Sequence, residues 1–254
     1  MNCSQCDYKI PLGKAKCPSC NHWNNGLDPS CPNDESILLS EVKSAEDNRI
    51  KTGDWDFCFG GGIVRTSVTL LGGEPGAGKS TMLLQLLASI HKHVDRESMY
   101  IATEEALPEI KLRADRLGIK SPIRMVPAMS GVANIGIILE TRKPIAIILD
   151  SLQGMIGVDD NAGVELLSTL KKFATTLEAP VIVISHVNKQ GDYAGLMTYQ
   201  HAVDALMTLS SDEGGLRTLE VMKNRNGRAF IESNFEMTAE GLILVLEDDE
   251  DEDE

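Results

Sequence analysis

The segment from Gly73 to Ser80 constrains the fold of this chain more than any other part of the sequence. Its spacing is G-x-x-x-x-G-K-S, spelled Gly73-Glu74-Pro75-Gly76-Ala77-Gly78-Lys79-Ser80. An apolar run at Ser67–Leu71 precedes it, and a helix-like run at Thr81–Leu87 follows it. Backbone N–H groups can surround a phosphate only where glycines remove the Cβ atoms, and the N-terminus of the next helix adds favourable partial charge. We therefore predict a strand, a phosphate-binding loop and a helix, rather than an ordinary Gly/Pro loop.

Two kinds of side chain complete the predicted phosphate site. Lys79 is expected to reach the β- and γ-phosphates, and the Ser80 hydroxyl to hold Mg²⁺. The run Ile145–Asp150 is apolar up to its last residue, as in a strand buried on both faces of a parallel sheet. Asp150 then lies where α/β nucleotide-binding sheets place their ligands. We predict that Asp150 binds the magnesium directly or through an intermediate ligand; the alternative is an aspartate that only caps a turn.

Strand-like and helix-like stretches alternate along much of the chain. The further strand candidates are Met99–Ala102, Arg124–Val126 and Val181–Ile184, and helix-like stretches occur at Pro108–Leu117 and Gly163–Leu177. Such alternation is typical of βαβ units. Later apolar runs are closer together and are expected to extend the sheet as hairpin-like strands; they are Ala205–Leu209, Leu216–Met222 and Leu242–Leu246. The predicted fold class is α/β, with a mostly parallel central sheet covered on both sides.

The N-terminal segment contains two C-x-x-C knuckles with ten residues between them, Cys3-Ser4-Gln5-Cys6 and Cys17-Pro18-Ser19-Cys20. Four thiolates at that spacing can surround Zn²⁺ tetrahedrally, and so small a segment has no hydrophobic core to fold around otherwise. The disulfide alternative needs an oxidising compartment, and the N-terminus lacks the apolar stretch of a secretory signal. Of the other candidates, Cys58 is expected to pack as a small apolar residue, His22 to be a bystander, and Cys31 is unassigned.

No stretch of the sequence approaches 18 uninterrupted apolar residues. A helix that spans a membrane needs about that many. We therefore expect a soluble, cytoplasmic protein with no membrane partner.

Several motifs resemble those of one family, the bacterial RadA/Sms DNA-repair ATPases within the RecA-like superfamily. In chain order they are C-P-S-C-N-H-W-N at 17–24, R-I-K-T-G at 49–53, G-G-G-I-V at 60–64, the phosphate loop, I-K-L-R-A-D-R-L-G-I at 110–119 and K-N-R-N-G at 223–227. The resemblance covers roughly residues 1–246. It implies a zinc-binding module at 1–26, a linker at 27–48, a RecA-like P-loop ATPase domain at 49–246 and a disordered acidic tail at 247–254.

Three features depart from the family pattern. Asn226 stands where the family has the phenylalanine of K-N-R-F-G, and the segment Ala194–His201 lacks the proline and arginine that normally follow its glycine. The family's C-terminal domain, which is similar to Lon protease, is not found after Leu246. The resemblance is therefore to a form without that domain.

The resemblance also implies roles for residues that follow predicted strands. Glu104 matches the superfamily's catalytic glutamate, whose carboxylate orients and deprotonates the attacking water. Its neighbour Glu105 is the rival for that role, and both acids can instead simply begin a helix. His186 matches the position that senses the γ-phosphate and relays to the DNA-binding loop; the alternative is a packed histidine. The predicted site for ATP and its Mg²⁺ thus comprises Gly73, Glu74, Pro75, Gly76, Ala77, Gly78, Lys79, Ser80, Thr81, Asp150 and His186.

Lys223 and Arg225 are one residue apart, so on an extended strand they point to the same side. In most proteins two such cations belong to a surface salt-bridge face. The resemblance implies instead that they reach across a subunit boundary to a neighbour's ATP. An arginine supplied in trans is typically worth about 10³–10⁵ in rate. The resemblance therefore implies a homo-hexameric ring.

The charge of the chain does not by itself predict DNA binding. The formal net charge is −14, and the acidic tail Glu247–Glu254 accounts for eight of those charges. Single-stranded DNA is a polyanion that basic grooves attract, so the DNA prediction rests on the resemblance. The candidate channel loops are Ser151–Gly163 and Lys189–Gln200, in which Tyr193 and Tyr199 can stack on bases. The tail is expected either to be a solubilising end, or to screen the channel or recruit a recombination or replication protein.

These observations predict an ATP-hydrolysing, single-stranded-DNA-binding motor of the helicase or branch-migration type, acting in DNA recombination and repair. The alternatives are a KaiC-like ATP-dependent regulator that binds a protein partner, a replicative-type DNA helicase, and a non-enzymatic module with a vestigial nucleotide site.

Overall fold

The chain divides into two compact units, Met1–Ser44 and Ala45–Glu254. The computed structural model describes residues 2–9, 17–20, 22, 38–41, 48–127, 131–156, 160–186, 194–212 and 214–245. The first unit contains both cysteine knuckles and a 3-10 turn at Leu39–Glu41. Most of the predicted linker, Cys31 and the acidic tail lie outside the described residues.

The second unit alternates strands and helices. Its strands are β1 (Arg49–Ile50), β2 (Ile63–Val64), β3 (Val68–Gly73), β4 (Ser98–Ala102), β5 (Ile123–Pro127), β6 (Ile147–Asp150), β7 (Val181–His186), β8 (Ala205–Ser211), β9 (Leu216–Asn224), β10 (Ile231–Thr238) and β11 (Gly241–Leu244). Its helices are α1 (Asp56–Phe59), α2 (Lys79–His91), α3 (Leu107–Arg116), α4 (Gly131–Arg142), α5 (Leu152–Ile156), α6 (Asp160–Leu177) and α7 (Ala194–Tyr199).

Strands β3 to β11 form one nine-stranded sheet in the order β11-β10-β9-β8-β3-β7-β6-β4-β5. From β8 to β5 in that order, each adjacent pair of strands is parallel, as βαβ units require. Strands β9, β10 and β11 continue the sheet as antiparallel hairpins. The short strands β1 and β2 pair separately. The predicted α/β class with a mostly parallel sheet is confirmed.

Side chains of the central strands alternate between two hydrophobic cores. In β7, Ile182 and Ile184 enter the first core, and Val181 and Val183 enter the second. This period of two is why the parallel strands appear in the sequence as continuous apolar runs. Apolar residues of α2 and α3 cover the first face, and those of α4, α6 and α7 cover the second.

Helix α4 and strand β10 were not predicted from the sequence, and neither were the short elements β1, β2, α1, α5 and α7, of which α5 and α7 lie within the two candidate channel loops. Helix α4 contains Gly136, and glycine is a poor helix former. A Cβ added to Gly136 would lie 3.1 Å from the ring of Phe173, so the helix packs closely against that ring. Strand β10 is mostly half-buried and places only Phe235 fully in the core, so it lacks an apolar run. Tertiary packing, rather than a local apolar pattern, therefore determines α4 and β10. Cys58 is fully buried, as predicted.

Among the described residues, no helix is both long enough and apolar enough to cross a membrane.

Candidate functional site

The carboxyl ends of four neighbouring parallel strands bring the predicted nucleotide-binding residues together. Gly73 at the end of β3 lies directly opposite His186 at the end of β7. Asp150 at the end of β6 lies opposite Ala102 of β4, and the N–H of Thr103 donates to the Asp150 carbonyl at 2.7 Å. Ligands of open α/β sheets bind at this edge.

The glycines of the phosphate loop adopt conformations that other residues rarely reach. Gly73, Gly76 and Gly78 have φ values of 148°, 88° and 106°. A Cβ on Gly73 would lie 2.2 Å from the carbonyl oxygen of Leu209, so that position excludes any side chain. Helix α2 begins at Lys79, directly after Gly78, so its unpaired N–H groups point into the loop. The loop therefore has the cradle form that a phosphate requires.

Lys79 is a buried cation that points into this cradle. Its side chain is only 5% exposed, and its Nζ donates to the carbonyls of Gly73 at 2.7 Å and Glu74 at 2.8 Å. Burial lowers the pKa of Lys79 to about 8, while the charges of Asp150, Glu104 and Glu74 oppose that shift. A desolvated ammonium that donates to two neutral carbonyls is suited to accept an anionic ligand.

Ser80 and Asp150 lie together beside the loop. The Ser80 hydroxyl donates to Asp150 Oδ2 at 2.8 Å, and the Tyr100 hydroxyl donates to the same oxygen. Asp150 is 7% exposed, and burial raises its pKa although both hydroxyl groups oppose the shift. A serine hydroxyl beside a strand-end carboxylate is a donor set that Mg²⁺ accepts. Tyr100 was not predicted, because β4 presents it only as one more apolar strand residue.

Glu104 occupies a network that spans the site. Its Oε2 lies 3.0 Å from Nε2 of His186, and its Oε1 accepts a hydrogen bond from the Ser151 hydroxyl. The side-chain amide of Gln153 holds the backbone of this segment, since its Oε1 accepts the backbone N–H of His186 at 3.2 Å and its Nε2 donates to Ser185 Oγ at 2.9 Å. Ser151 and Gln153 were not predicted as site residues.

Glu105 forms an ion pair away from His186. Arg113 of α3 forms a bidentate pair with it, with Nη1 to Oε2 at 2.7 Å and Nη2 to Oε1 at 3.0 Å. Hydrogen bonding to Glu105 raises the pKa of Arg113. Of the two adjacent acids, only Glu104 therefore contacts the predicted sensor His186.

Lys223 and Arg225 lie at the opposite end of the sheet from the phosphate loop. Lys223 Nζ donates to the carbonyls of Gln200 and, at 2.8 Å, Val203. The Arg225 N–H donates to the Asp204 carbonyl, and the Asp204 N–H donates to the carbonyl of Val68, each at 2.9 Å. Val68 begins β3 and Gly73 ends it, a separation of about 17 Å at the usual rise per strand residue. Arg225 cannot reach the phosphate loop of its own chain.

One predicted DNA contact is wrong. Tyr199 is 4% exposed, and its ring packs against Gly163 of α6 within the second core. It is therefore unavailable to stack on a base. Tyr193 and Lys189, the other named residues of that loop, lie outside the described residues.

The four knuckle cysteines converge in the first unit. The Sγ atoms of Cys3 and Cys20, and those of Cys6 and Cys17, are 3.6 Å apart, and all four lie within 4.8 Å of one another. This spacing is far too long for a disulfide bond of about 2.05 Å. It matches the edge of a tetrahedron with Zn–S bonds of about 2.3 Å, which is roughly 3.8 Å. The cluster can hold a zinc ion, and His22 is not one of its ligands.

The two knuckles share one backbone arrangement. The N–H of Cys3 donates to the Tyr8 carbonyl and that of Cys17 to the His22 carbonyl, both at 2.8 Å. The N–H groups of Gln5 and Ser19 approach the sulfurs of Cys3 and Cys17, each at 3.4 Å. Such N–H···S contacts stabilise thiolates.

Comparison with known proteins agrees with this architecture. A family model described as "ATPase: KaiC" matches residues 50–122. A KaiC-like protein from Pyrococcus horikoshii OT3 superposes with a TM-score of 0.66 at 17% identity, covering 78% of this chain and 99% of that one. The second unit thus has a RecA-like fold.

Similarity in sequence extends over nearly the whole chain. The chain is 32% identical to the DNA repair protein RadA of Bacillus subtilis and 30% identical to that of Escherichia coli, in each case over 96% of its length. The resemblance to the RadA/Sms family is therefore confirmed. The chain spans 59% of the length of each of these relatives.

Proposed function

We propose that this chain is an ATPase that acts on single-stranded DNA in recombination and repair. The observation that carries the ATPase proposal is the convergence of Lys79, Ser80, Asp150, Glu104 and His186 at one edge of the sheet. The ATPase family whose model matches this region supports ATP and Mg²⁺ as cofactors.

Each residue of the cluster has a chemical role in this proposal. The glycine loop and the N-terminus of α2 would hold the phosphates, and Lys79 would exchange its two carbonyl partners for phosphate oxygens. Ser80 and Asp150 would hold Mg²⁺, which neutralises charge on the phosphates. Glu104 would orient and deprotonate the attacking water. His186, in contact with that carboxylate, would report the state of the γ-phosphate to the segment that follows β7.

The DNA part of the proposal rests on the relatives. Proteins similar to this chain over 96% of its length are named DNA repair protein RadA. Because the chain spans 59% of those relatives, helicase or branch-migration activity and DNA dependence remain proposals for this chain. Zinc in the four-cysteine cluster and a cytoplasmic location belong to the same proposal.

We further propose that the ATPase works as a ring, most simply a homo-hexamer, with Arg225 and Lys223 supplied in trans. The geometry that supports this is the separation of about 17 Å between the strand end beside Arg225 and the phosphate loop of the same chain. The Arg225 side chain is 57% exposed, whereas Lys223 is held by two backbone carbonyls. Arg225 is therefore the stronger candidate for contact with a neighbour's phosphate.

A KaiC-like regulator that binds a protein partner is the second candidate, supported by the matching family model and the similar archaeal structure. ATP hydrolysis measured with and without single-stranded DNA separates the two. A DNA-acting motor should hydrolyse ATP faster with DNA, and Lys79→Ala should abolish both rates. Hydrolysis that depends on Lys79 but ignores DNA would favour the regulator, and no hydrolysis would favour a vestigial site.

The in-trans arrangement has its own test. Arg225→Ala should bind ATP but hydrolyse it poorly, and mixing it with Lys79→Ala chains should restore some activity, because an intact Lys79 site can then face an intact Arg225. A site contained in one chain cannot be rescued in this way. Failure to recover activity, with a monomeric mass in ATP at micromolar concentration, would reject the ring.

A further inference from the structure

Arg49, a half-buried residue of β1, contacts the loop that carries Arg225. Its Nη1 donates to the carbonyls of Phe59 at 3.0 Å and Gly62 at 2.7 Å. Its Nη2 donates to the carbonyl of Asn226, the residue directly after Arg225. A single guanidinium thus joins the segment 59–62 to Asn226, which lies 177 residues after Arg49 in the chain.

The backbones of these two segments also touch. A Cβ added to Gly60 would lie 2.8 Å from the Cα of Gly227, and one added to Gly227 would lie equally close to Gly60. Within the loop, the Asn226 N–H donates to the side chain of Asn224 at 2.9 Å. The turn after β9 is therefore seated against the segment 58–62 with little space between them.

Asp204 holds the other side of the same turn. Its carboxylate accepts hydrogen bonds from the Val68 N–H at 2.8 Å and from Lys171 Nζ at 2.5 Å. Its Oδ1 lies 3.9 Å from Arg225 Nη1, and its carbonyl accepts the Arg225 N–H at 2.9 Å. The backbone of Arg225 is thus fixed on both sides, while its guanidinium remains largely exposed.

We propose that Arg49 is a positioning residue that presents Arg225 to the nucleotide site of the neighbouring subunit. This inference rests on the in-trans function proposed above. Electrostatic catalysis depends on charges that are already in place, since a charge that must be reorganised during the reaction contributes less. An arginine suits this role because its planar group offers five N–H donors in fixed directions, whereas lysine offers a single flexible ammonium.

A purely local role for Arg49 is the competing explanation, because two of its three acceptors belong to residues 59–62. Lys51 provides a matched control for that role. Its Nζ donates to the carbonyl of Gly61 at 2.9 Å and pairs with Asp56 at 3.5 Å, so it supports the same segment. Neither of these contacts involves the Arg225 loop.

The test compares ATP hydrolysis by Arg49→Ala, Arg225→Ala, the double variant and Lys51→Ala. Displacement of a catalytic group by about 1 Å can lower the rate about 10²-fold. We therefore expect kcat of Arg49→Ala to fall by up to that factor, with KM for ATP unchanged. The double variant should be no slower than Arg225→Ala alone, because the two residues would act through one group. Lys51→Ala should keep the wild-type kcat.

Subunit mixing gives a readout that a merely structural defect would not produce. Arg49→Ala chains retain Lys79, so mixing them with Lys79→Ala chains should restore activity as it does for Arg225→Ala. If Arg49→Ala does not fold, judged by its thermal unfolding, Arg49→Lys takes its place, since it keeps the charge but not the three directed hydrogen bonds.

The possible failures are distinguishable. An unimpaired Arg225→Ala would overturn the in-trans function itself. An impaired Arg225→Ala beside a normal Arg49→Ala, or a double variant slower than both single variants, would overturn the positioning role alone.

Discussion

Glu104→Gln should separate ATP binding from ATP hydrolysis. The substitution keeps the size of the side chain and an oxygen that can accept from Ser151 or face His186, but it removes the carboxylate that would take a proton from water. Loss of a general base typically costs about 10²–10⁴ in rate. That range corresponds to roughly 3–5.5 kcal/mol in the barrier, at about 1.4 kcal/mol for each factor of ten.

Glu105→Gln is the matched control, because it makes the same chemical change one residue away. It removes one charge from a bidentate pair with Arg113, in which the two side chains are 25% and 34% exposed. Partly exposed ion pairs contribute up to about 1 kcal/mol, which lowers Tm by roughly 2–4 °C in a domain of this size. We therefore expect Glu105→Gln to be slightly less stable and to hydrolyse ATP at a rate close to that of the wild type.

Single-turnover hydrolysis, filter binding of ATP and thermal unfolding of both variants provide the measurements. Glu104→Gln should retain bound ATP, turn it over at least about a hundredfold more slowly and unfold at the wild-type temperature. Normal hydrolysis by Glu104→Gln, combined with loss of hydrolysis in Glu105→Gln, would show that the base is the second acid and that the contact with His186 is not catalytic.

Three further predictions follow from the sites. In the nucleotide-free protein, burial lowers the pKa of Lys79 to about 8, and a bound triphosphate would raise that pKa. ATP binding should therefore be accompanied by uptake of a proton near pH 8.5. The affinity for ATP should fall as the pH rises above 8. Calorimetry in buffers of different ionisation enthalpy measures this uptake, which Lys79→Ala should abolish. Purified protein should carry one zinc per chain, and Cys17→Ser should lose it; metal analysis giving well under one equivalent for the wild type would contradict the cluster's assignment. Deleting residues 247–254 should tighten binding to single-stranded DNA at low salt and matter less as salt rises. An affinity unchanged across the salt series would leave the tail only a solubilising role.

Local patterns were sufficient to predict which residues converge at the core of the candidate nucleotide site. The phosphate loop is a continuous segment whose glycine spacing specifies its backbone, and Asp150 follows an apolar strand whose carboxyl end must lie at the same edge. The cysteine knuckles are equally local, because each one places two cysteines of the cluster only three residues apart in the sequence. The separation of Arg225 from its own phosphate loop was not visible in this way, since it depends on the direction of β9.

The sequence by itself therefore determined the α/β sheet, the glycine loop after β3 with Ser80 and Asp150 beside it, and the cluster of four cysteines. Only the tertiary structure decided which neighbours those groups have. In the structure Arg113 forms an ion pair with Glu105, and Tyr199 is buried. The Tyr100 hydroxyl donates to Asp150, and the Arg49 guanidinium donates to the Asn226 carbonyl. The physical reason is that periodicity and spacing fix which face of an element a residue occupies, whereas contacts between distant segments depend on strand order and register, which no local pattern encodes.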